Sequence, residues 1–275
     1  MSNIALPKKV EFQKGEDVNS SRIIVGPCYP GYGITLGNAL RRVMLSSLPG
    51  AAVVGIKIKG VDHEFMALPH LKEDILEFIL NLKQLRMKVY SDEVVKLDLK
   101  IYGEKTITAA NIEKNSQVEI VNSDLVLGHV TDMAGRLEAE IFVKKGMGYE
   151  MIENREEKNK EIGYIEMDSI FSPIVSVGVK IENTRVGKMT NWESLLIDVK
   201  TDGVITCEEA FNASVEILIN QFMALAPEKG GAGNEDASSS DTVNEVSEIN
   251  ESINEDGDEQ GDDGAKKKRG RPKKA

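Results

Sequence analysis

Cysteine, tryptophan and histidine are scarce in this 275-residue chain, with two, one and three copies respectively. Cys28 and Cys207 cannot staple a domain of this length or complete a metal quartet, so neither a disulfide scaffold nor a zinc module is expected. His63, His70 and His129 lack the paired spacing of a metal site, and no Ser or Cys occupies a nucleophile motif. No apolar run approaches the length of a membrane span. Residues 1–20 mix Lys, Glu and Asp without an apolar stretch, so no signal peptide is expected. These absences leave a reduced, cytoplasmic, soluble protein, with no metal site expected, and long enough to bury a real core.

Charge is present in quantity and unevenly placed. Lys and Arg number 34 against 45 Asp and Glu, for a formal charge of −11. Residues 228–265 hold 13 acidic groups and the single Lys229, whereas 266–275 hold seven basic groups and no acidic one. From Pro227 onward aromatics vanish and Gly, Ser, Asn, Glu and Asp dominate, a composition unable to bury enough apolar surface to order itself. The expected organisation is a folded part over 1–227, an acidic linker over 228–265 and a basic tip over 266–275.

Within 1–227, period-2 alternation marks half-buried strands of antiparallel sheets at Val54, Ile56, Ile58; at Val95, Leu97, Leu99, Ile101; at Leu137, Ala139, Ile141, Val143; and at Val175, Val177, Val179, Ile181. Three segments read as helices. The first runs from about Thr35, as N-cap, to the Pro49-Gly50 stop. Leu36, Ala39, Leu40, Val43 and Met44 form its apolar stripe, while Asn38, Arg41, Arg42 and Leu45 gather opposite. That second face reads either as a contact surface or as a solvated one with a stray leucine. The middle helix is expected over His70–Gln84, with Glu73 and Asp74 in its first turn and Lys72 and Lys83 within a broad apolar arc. The third covers about Cys207–Ala226 behind a Thr206/Glu209 capping box. Its apolar positions, Phe211, Val215, Leu218, Phe222 and Leu225 among them, spread over roughly 240° of the wheel, against the roughly 100° that a one-sided helix needs. A second burial surface is required, and another chain supplies it most economically.

Two motifs fail on inspection. Gly31, Gly33 and Gly37 nearly spell a phosphate-binding fingerprint, but Leu36 stands where its third glycine belongs, so they read as a tight turn feeding a helix. Asp256, Asp258 and Gly261 resemble the start of a calcium loop, yet Lys267 stands where the closing acid is needed.

The run Gly31-Tyr-Gly-Ile-Thr-Leu-Gly-Asn-Ala-Leu-Arg-Arg42, followed by Leu45-Ser-Ser-Leu-Pro-Gly50, resembles the signature of the alpha subunit of bacterial DNA-dependent RNA polymerase. The likeness continues in order through Glu73-Asp-Ile-Leu-Glu77, Asn81-Leu-Lys83, Thr108-Ala-Ala-Asn-Ile112, Gly146-Met-Gly-Tyr149, Phe171-Ser-Pro173, Thr184-Arg-Val186 and Asp202-Gly-Val-Ile205. The resemblance implies an α+β, two-lobed amino-terminal-domain fold with antiparallel sheets. Residues 1–50 plus 174–227 would form a dimerisation lobe, and 51–173 an inserted lobe. It implies a homodimer that scaffolds assembly of the beta and beta-prime subunits for transcription, itself a non-catalytic subunit of a nucleotidyltransferase, with no cofactor, membrane or small-molecule substrate of its own. Leu36, Leu40, Phe211, Val215, Leu218, Phe222 and Leu225 would then lie at the dimer interface. Asn38, Arg41, Arg42 and Leu45 would meet beta, with Arg42 central, and Lys83 would meet beta-prime.

The chain departs from the family at its carboxyl end, where no apolar pattern for the usual helical DNA-binding domain follows residue 227. It ends in a basic run that resembles an AT-hook, formed by Lys268, Arg269, Gly270, Arg271, Pro272 and Lys273. Arginines favour a narrow, electronegative A-tract minor groove, and flanking lysines meet phosphates. The plainer reading is a polybasic tip that binds any polyanion. Against the polymerase subunit stand two other classes: a free-standing DNA-binding architectural protein, and a small-molecule enzyme.

Overall fold

The computed structural model describes residues 4–15, 17–155 and 161–225, all within one compact unit, Met1–Pro227. The chain opens with strands β1 (Lys9–Lys14) and β2 (Ser20–Cys28), then helix α1 (Tyr32–Ser46). It continues through β3 (Pro49–Ile58), helix α2 (Ile75–Leu82), β4 (Met87–Val89), β5 (Val95–Tyr102), β6 (Lys105–Thr108) and β7 (Val118–Ile120). Next come β8 (Val126–Val130), β9 (Arg136–Met147), β10 (Tyr149–Glu150), β11 (Tyr164–Glu166) and β12 (Ser169–Ile170). The hairpin β13 (Ile174–Val186) and β14 (Met189–Thr201) leads to helix α3 (Cys207–Leu225).

The fold is α+β with antiparallel sheets. One sheet has the order β1-β2-β14-β13 and the other β11-β3-β9-β5, with ribbons β4–β7, β6–β8 and β10–β12 beside them. The first sheet packs Ile23, Leu195 and Ile197 against Leu40 and Met44 of α1 and Ala210 and Phe211 of α3. The second core, built from residues between Val53 and Met167, encloses Ile56, Ile58, Phe78, Leu82, Leu99 and Ile141. Each such fully buried side chain contributes about 1.5–3 kcal/mol.

Two of the patterns read from sequence face one another. Val95, Leu97, Leu99 and Ile101 of β5 pair with Val143, Ile141, Ala139 and Leu137 of β9, so both alternating faces cover the second core. The other two strands break step. A register shift between Val53 and Gly55 turns Val54 away from Ile56 and Ile58, to join Ala52, Phe142 and Phe171 on the opposite face. A second shift between Ile174 and Ser176 leaves Val175 exposed while Val177 stays buried.

Helix α1 starts earlier than expected. Thr35 is not its cap: its hydroxyl donates to the Gly31 carbonyl at 3.2 Å, inside the helix. Gly31, at φ 86°, is the N-cap residue, and the acceptor comes from far away in sequence. The Gly31 and Gly33 N–H groups donate to the Glu193 carboxylate of β14 at 2.8 and 2.9 Å. Gly37 lets the helix lie close on the sheet, because a Cβ there would sit 2.7 Å from Val179 and 2.8 Å from Leu195.

Helix α2 is shorter than the expected His70–Gln84. His70 takes a positive φ of 66°, Leu71 forms a β-bridge with Val130, and Asp74 is the N-cap. Glu73 is therefore not in a helical first turn. Its buried carboxylate accepts from the His129 backbone N–H and its ring Nδ1, both at 2.6 Å. Helix α3 matches its expected start. Thr206 N–H donates to the Glu209 carboxylate at 2.9 Å, and Glu209 N–H to the Thr206 hydroxyl at 3.2 Å.

Candidate interaction surfaces

The two faces of α1 separate as its wheel requires. Leu36, Ala39, Leu40, Val43 and Met44 are buried or half-buried against the first sheet, whereas Asn38, Arg41, Arg42 and Leu45 are exposed. Because the apolar stripe fixes the rotation of the helix on the sheet, the outward side chains are held in place without bonds of their own. At the end of the helix, Ser46 donates its hydroxyl to the Arg42 carbonyl at 2.8 Å.

Beside that end lies the turn between β9 and β10. Gly148 takes φ 63°, and a Cβ on it would stand 3.2 Å from the Ser46 carbonyl oxygen. On either side of it Met147 and Tyr149 are exposed, and Ile170, paired with Tyr149, is exposed at 58%. The Tyr149 hydroxyl donates to Asp168 Oδ2 at 3.1 Å, while the Ile152 N–H donates to Asp168 Oδ1 at 2.9 Å. That backbone bond, helped by Tyr149 and by the positive charges of Lys83 and Arg155, holds the Asp168 carboxyl below its ordinary range against the effect of burial. Lys83 is exposed at the C-cap of α2, and Leu76 and Leu80 lie exposed on the same helix.

Arg155 organises this segment from below. Its guanidinium donates to the Val54 and Met167 carbonyls at 2.8 and 2.7 Å and to the Ser169 hydroxyl at 3.0 Å. The end of α1 that carries Arg42 and Leu45 thus lies against the Gly148 turn, and the Asp168 carboxyl beside that turn feels the charge of Lys83. Met147, Tyr149, Ile170 and Asp168 escape a reading by helical wheels because they sit on the two-residue strands β10 and β12 or directly beside them. The exposed aromatic within Gly146-Met-Gly-Tyr149 was their only signal.

A second surface lies on α3. Leu40 and Phe211, expected at an interface, are enclosed by their own protomer, with the Phe211 ring edge-on to Phe12 at 5.8 Å. Leu36, Val215 and Leu218 are half-buried. Toward its end the helix leaves the core: Ile219 and Met223 are exposed, as are Phe222 at 62% and Leu225 at 78%. An apolar cluster of this kind on a folded surface marks a contact site. Lys268, Arg269, Gly270, Arg271, Pro272 and Lys273 lie outside the described residues.

Comparison with known proteins converges on one family. The family described as "RNA polymerase Rpb3/RpoA insert domain" matches residues 56–172. The DNA-directed RNA polymerase subunit alpha of Carboxydothermus hydrogenoformans is 44% identical over 214 residues, covering 78% of this chain and 68% of the relative. That of Symbiobacterium thermophilum is 46% identical over 218 residues, 79% and 69% of the two chains. The chain belongs to the DNA-directed RNA polymerase alpha-subunit family. A third relative, the alpha subunit of Macrococcus caseolyticus, is 41% identical over 235 residues, 84% and 74% of the two chains.

In this alpha-family chain, the matched insert coincides with the second core, and residues 56–172 include α2, the β10–β12 ribbon and Arg155. Among the described residues no three His, Cys, Asp or Glu converge, and no helix is long and apolar enough to cross a membrane. Cys28 and Cys207 are free and buried.

Proposed function

We infer that this chain is the assembly platform of a bacterial, cytoplasmic RNA polymerase. Two copies pair through α1 and the end of α3. The pair then seats the beta subunit on Asn38, Arg41, Arg42 and Leu45, and beta-prime beside Lys83. Nucleotidyl transfer belongs to the large partners, and this chain holds no catalytic group. The observation carrying the reading is the apolar end of α3, where Ile219, Phe222, Met223 and Leu225 are exposed among the described residues although the start of the helix is buried. Pairing supplies that cover, and leaves the Arg42 face and the Tyr149 ribbon free for larger subunits.

Replacing Arg42 with Ala tests the assignment. The residue is exposed, so the variant is expected to keep its fold and dimeric mass while losing co-purification with beta. Normal capture of beta by that dimer overturns the role of Arg42.

The basic tip adds a DNA contact on AT-rich upstream sequence in this reading. A flexible coil of 38 residues would have a root-mean-square span of roughly 31–37 Å, enough to reach a duplex beside the enzyme. Engagement of all seven basic groups gives a log–log salt slope of about −6, made shallower by the adjacent acidic run. Equal affinity of the full chain for A-tract and GC-rich duplexes refutes groove recognition. Duplex binding by an isolated protomer that never enters a polymerase favours the architectural alternative.

A further inference from the structure

The pair Glu73–His129 has no part in the surfaces above, yet it is the most tightly bonded polar group near α2. Glu73 is 91% buried relative to an open chain, since its exposure is 9%, and it stands one residue before the Asp74 N-cap. One carboxylate oxygen takes the His129 backbone N–H and the other faces His129 Nδ1, each at 2.6 Å. A carboxylate only accepts, so Nδ1 carries the proton in this bond. Neighbouring Gly128 leaves the space that Glu73 occupies: a Cβ there would come within 3.1 Å of Oε2 and 3.3 Å of the Phe78 ring.

The surrounding bonds show what this pair restrains. Lys72 N–H donates to the His129 carbonyl at 3.0 Å and Thr131 N–H to the His70 carbonyl at 2.9 Å. His70 Nδ1 stands 3.3 Å from Asp132 Oδ2, a second and exposed His–carboxylate pair. Together these fasten residues 70–73 to β8 and its turn, and so fix where α2 begins. Further along, α2 is tied to β8 by one side-chain bond, Asn81 Nδ2 to the Leu127 carbonyl at 3.2 Å. The opposite side of this short helix carries Leu76, Leu80 and, at its C-cap, Lys83. An eight-residue helix is too short to hold itself, so its pose depends on such ties and on the buried Ile75, Phe78, Ile79 and Leu82.

We propose that Glu73 and His129 form a positioning latch that sets the pose of α2 for the second large subunit. The inference rests on the reading of Lys83 as a beta-prime contact. The latch touches no partner itself. Its action is to keep the Leu76–Leu80–Lys83 side of α2 registered with the Tyr149–Asp168 ribbon, so that one partner surface meets both.

The test uses the full-length chain with purified beta and beta-prime subunits, and measures two steps separately: capture of beta by the dimer, then recruitment of beta-prime to that complex. Glu73→Ala and His129→Leu each remove latch bonds. Both are expected to weaken beta-prime recruitment at least tenfold while leaving dimer mass and beta capture unchanged. His129→Asn, whose side-chain N–H can take the place of Nδ1–H, is expected to restore recruitment, which a general loss of stability in the lobe would not allow. Amide exchange over residues 75–82 reports the same loosening directly, faster in Glu73→Ala and near normal in His129→Asn. Lys83→Ala and Leu80→Glu serve as controls for the underlying reading. Loss of recruitment in these controls together with normal recruitment in both latch variants overturns the latch alone. Normal recruitment in the controls overturns the reading it rests on.

Discussion

Glu193 is the residue whose removal most sharply tests how the first helix is held. Its carboxylate accepts from two backbone N–H groups of the α1 start, at 2.8 and 2.9 Å, and no residue within the helix can replace it. In Glu193→Ala, water can serve Gly31, which is exposed, but not Gly33, which is buried. An unsatisfied buried donor costs about 1–3 kcal/mol. Loss of a negative charge at a helix N-terminus adds about 0.3–1 kcal/mol. The sum is about 1.3–4 kcal/mol, and for a folded unit of this size that corresponds to a fall in Tm of roughly 3–16 °C. Glu193→Gln keeps one acceptor and the shape, and is expected to lose about half as much. Thermal unfolding at one fixed protomer concentration measures both, since pairing would otherwise shift the transition. A Glu193→Ala chain within about 0.5 kcal/mol of the parent refutes the capping argument. The variant also frays the turn carrying Ile34 and Leu36, so weaker self-association is expected with it.

Phe222→Glu places a charge on the exposed end of α3, and should convert the dimer to a monomer at micromolar concentration with Tm changed by only a few degrees; an intact dimer contradicts the use of that face. Acidification tests the buried carboxylate next to β8. Burial raises the Glu73 carboxyl, but the side-chain and backbone bonds from His129 outweigh it and hold the group below the ordinary range. Its contribution is then complete above the unfolded value of about 4.3 and is lost as pH falls through the lower folded value. The stability gap between the parent and Glu73→Gln should therefore close as pH drops below that range, and a gap that persists into strong acid contradicts it. For the basic tip, Arg269→Ala with Arg271→Ala should abolish the preference for A-tract over GC-rich duplex and leave a weak, salt-sensitive residue of binding, measured by titration of labelled duplexes at several salt concentrations.

Much of this organisation was legible in the residues. Leu36, Leu40, Val43 and Met44 placed Arg42 and Leu45 outward because a 3.6-residue period leaves no freedom once one face is buried. The β5 and β9 patterns found each other for the same reason at period 2. What could not be read was whatever depends on distant partners. The cap of α1 comes from Glu193, some 160 residues later, so local rules chose Thr35 instead. The start of α2 was misplaced because Leu71 bridges to Val130 and Glu73 bonds His129, both tertiary facts. Bulges at Val54 and Val175 invert the alternation, and the neighbouring Gly55 and Pro173 do not by themselves fix where the extra residue falls. At the interaction surfaces, the wheels leave Arg42 and Phe222 exposed, as the structure does, whereas Leu40 and Phe211, which the resemblance puts at the dimer interface, are buried in their own protomer, since a wheel cannot tell a neighbouring sheet from a neighbouring chain.

Sedimentation of the full chain, alone and then mixed with the beta subunit, bears most directly on the whole account. A species near twice 30.2 kDa that takes up beta, and fails to do so when Arg42 is Ala, is the expected result. A monomer at micromolar concentration, or a dimer indifferent to Arg42, contradicts it.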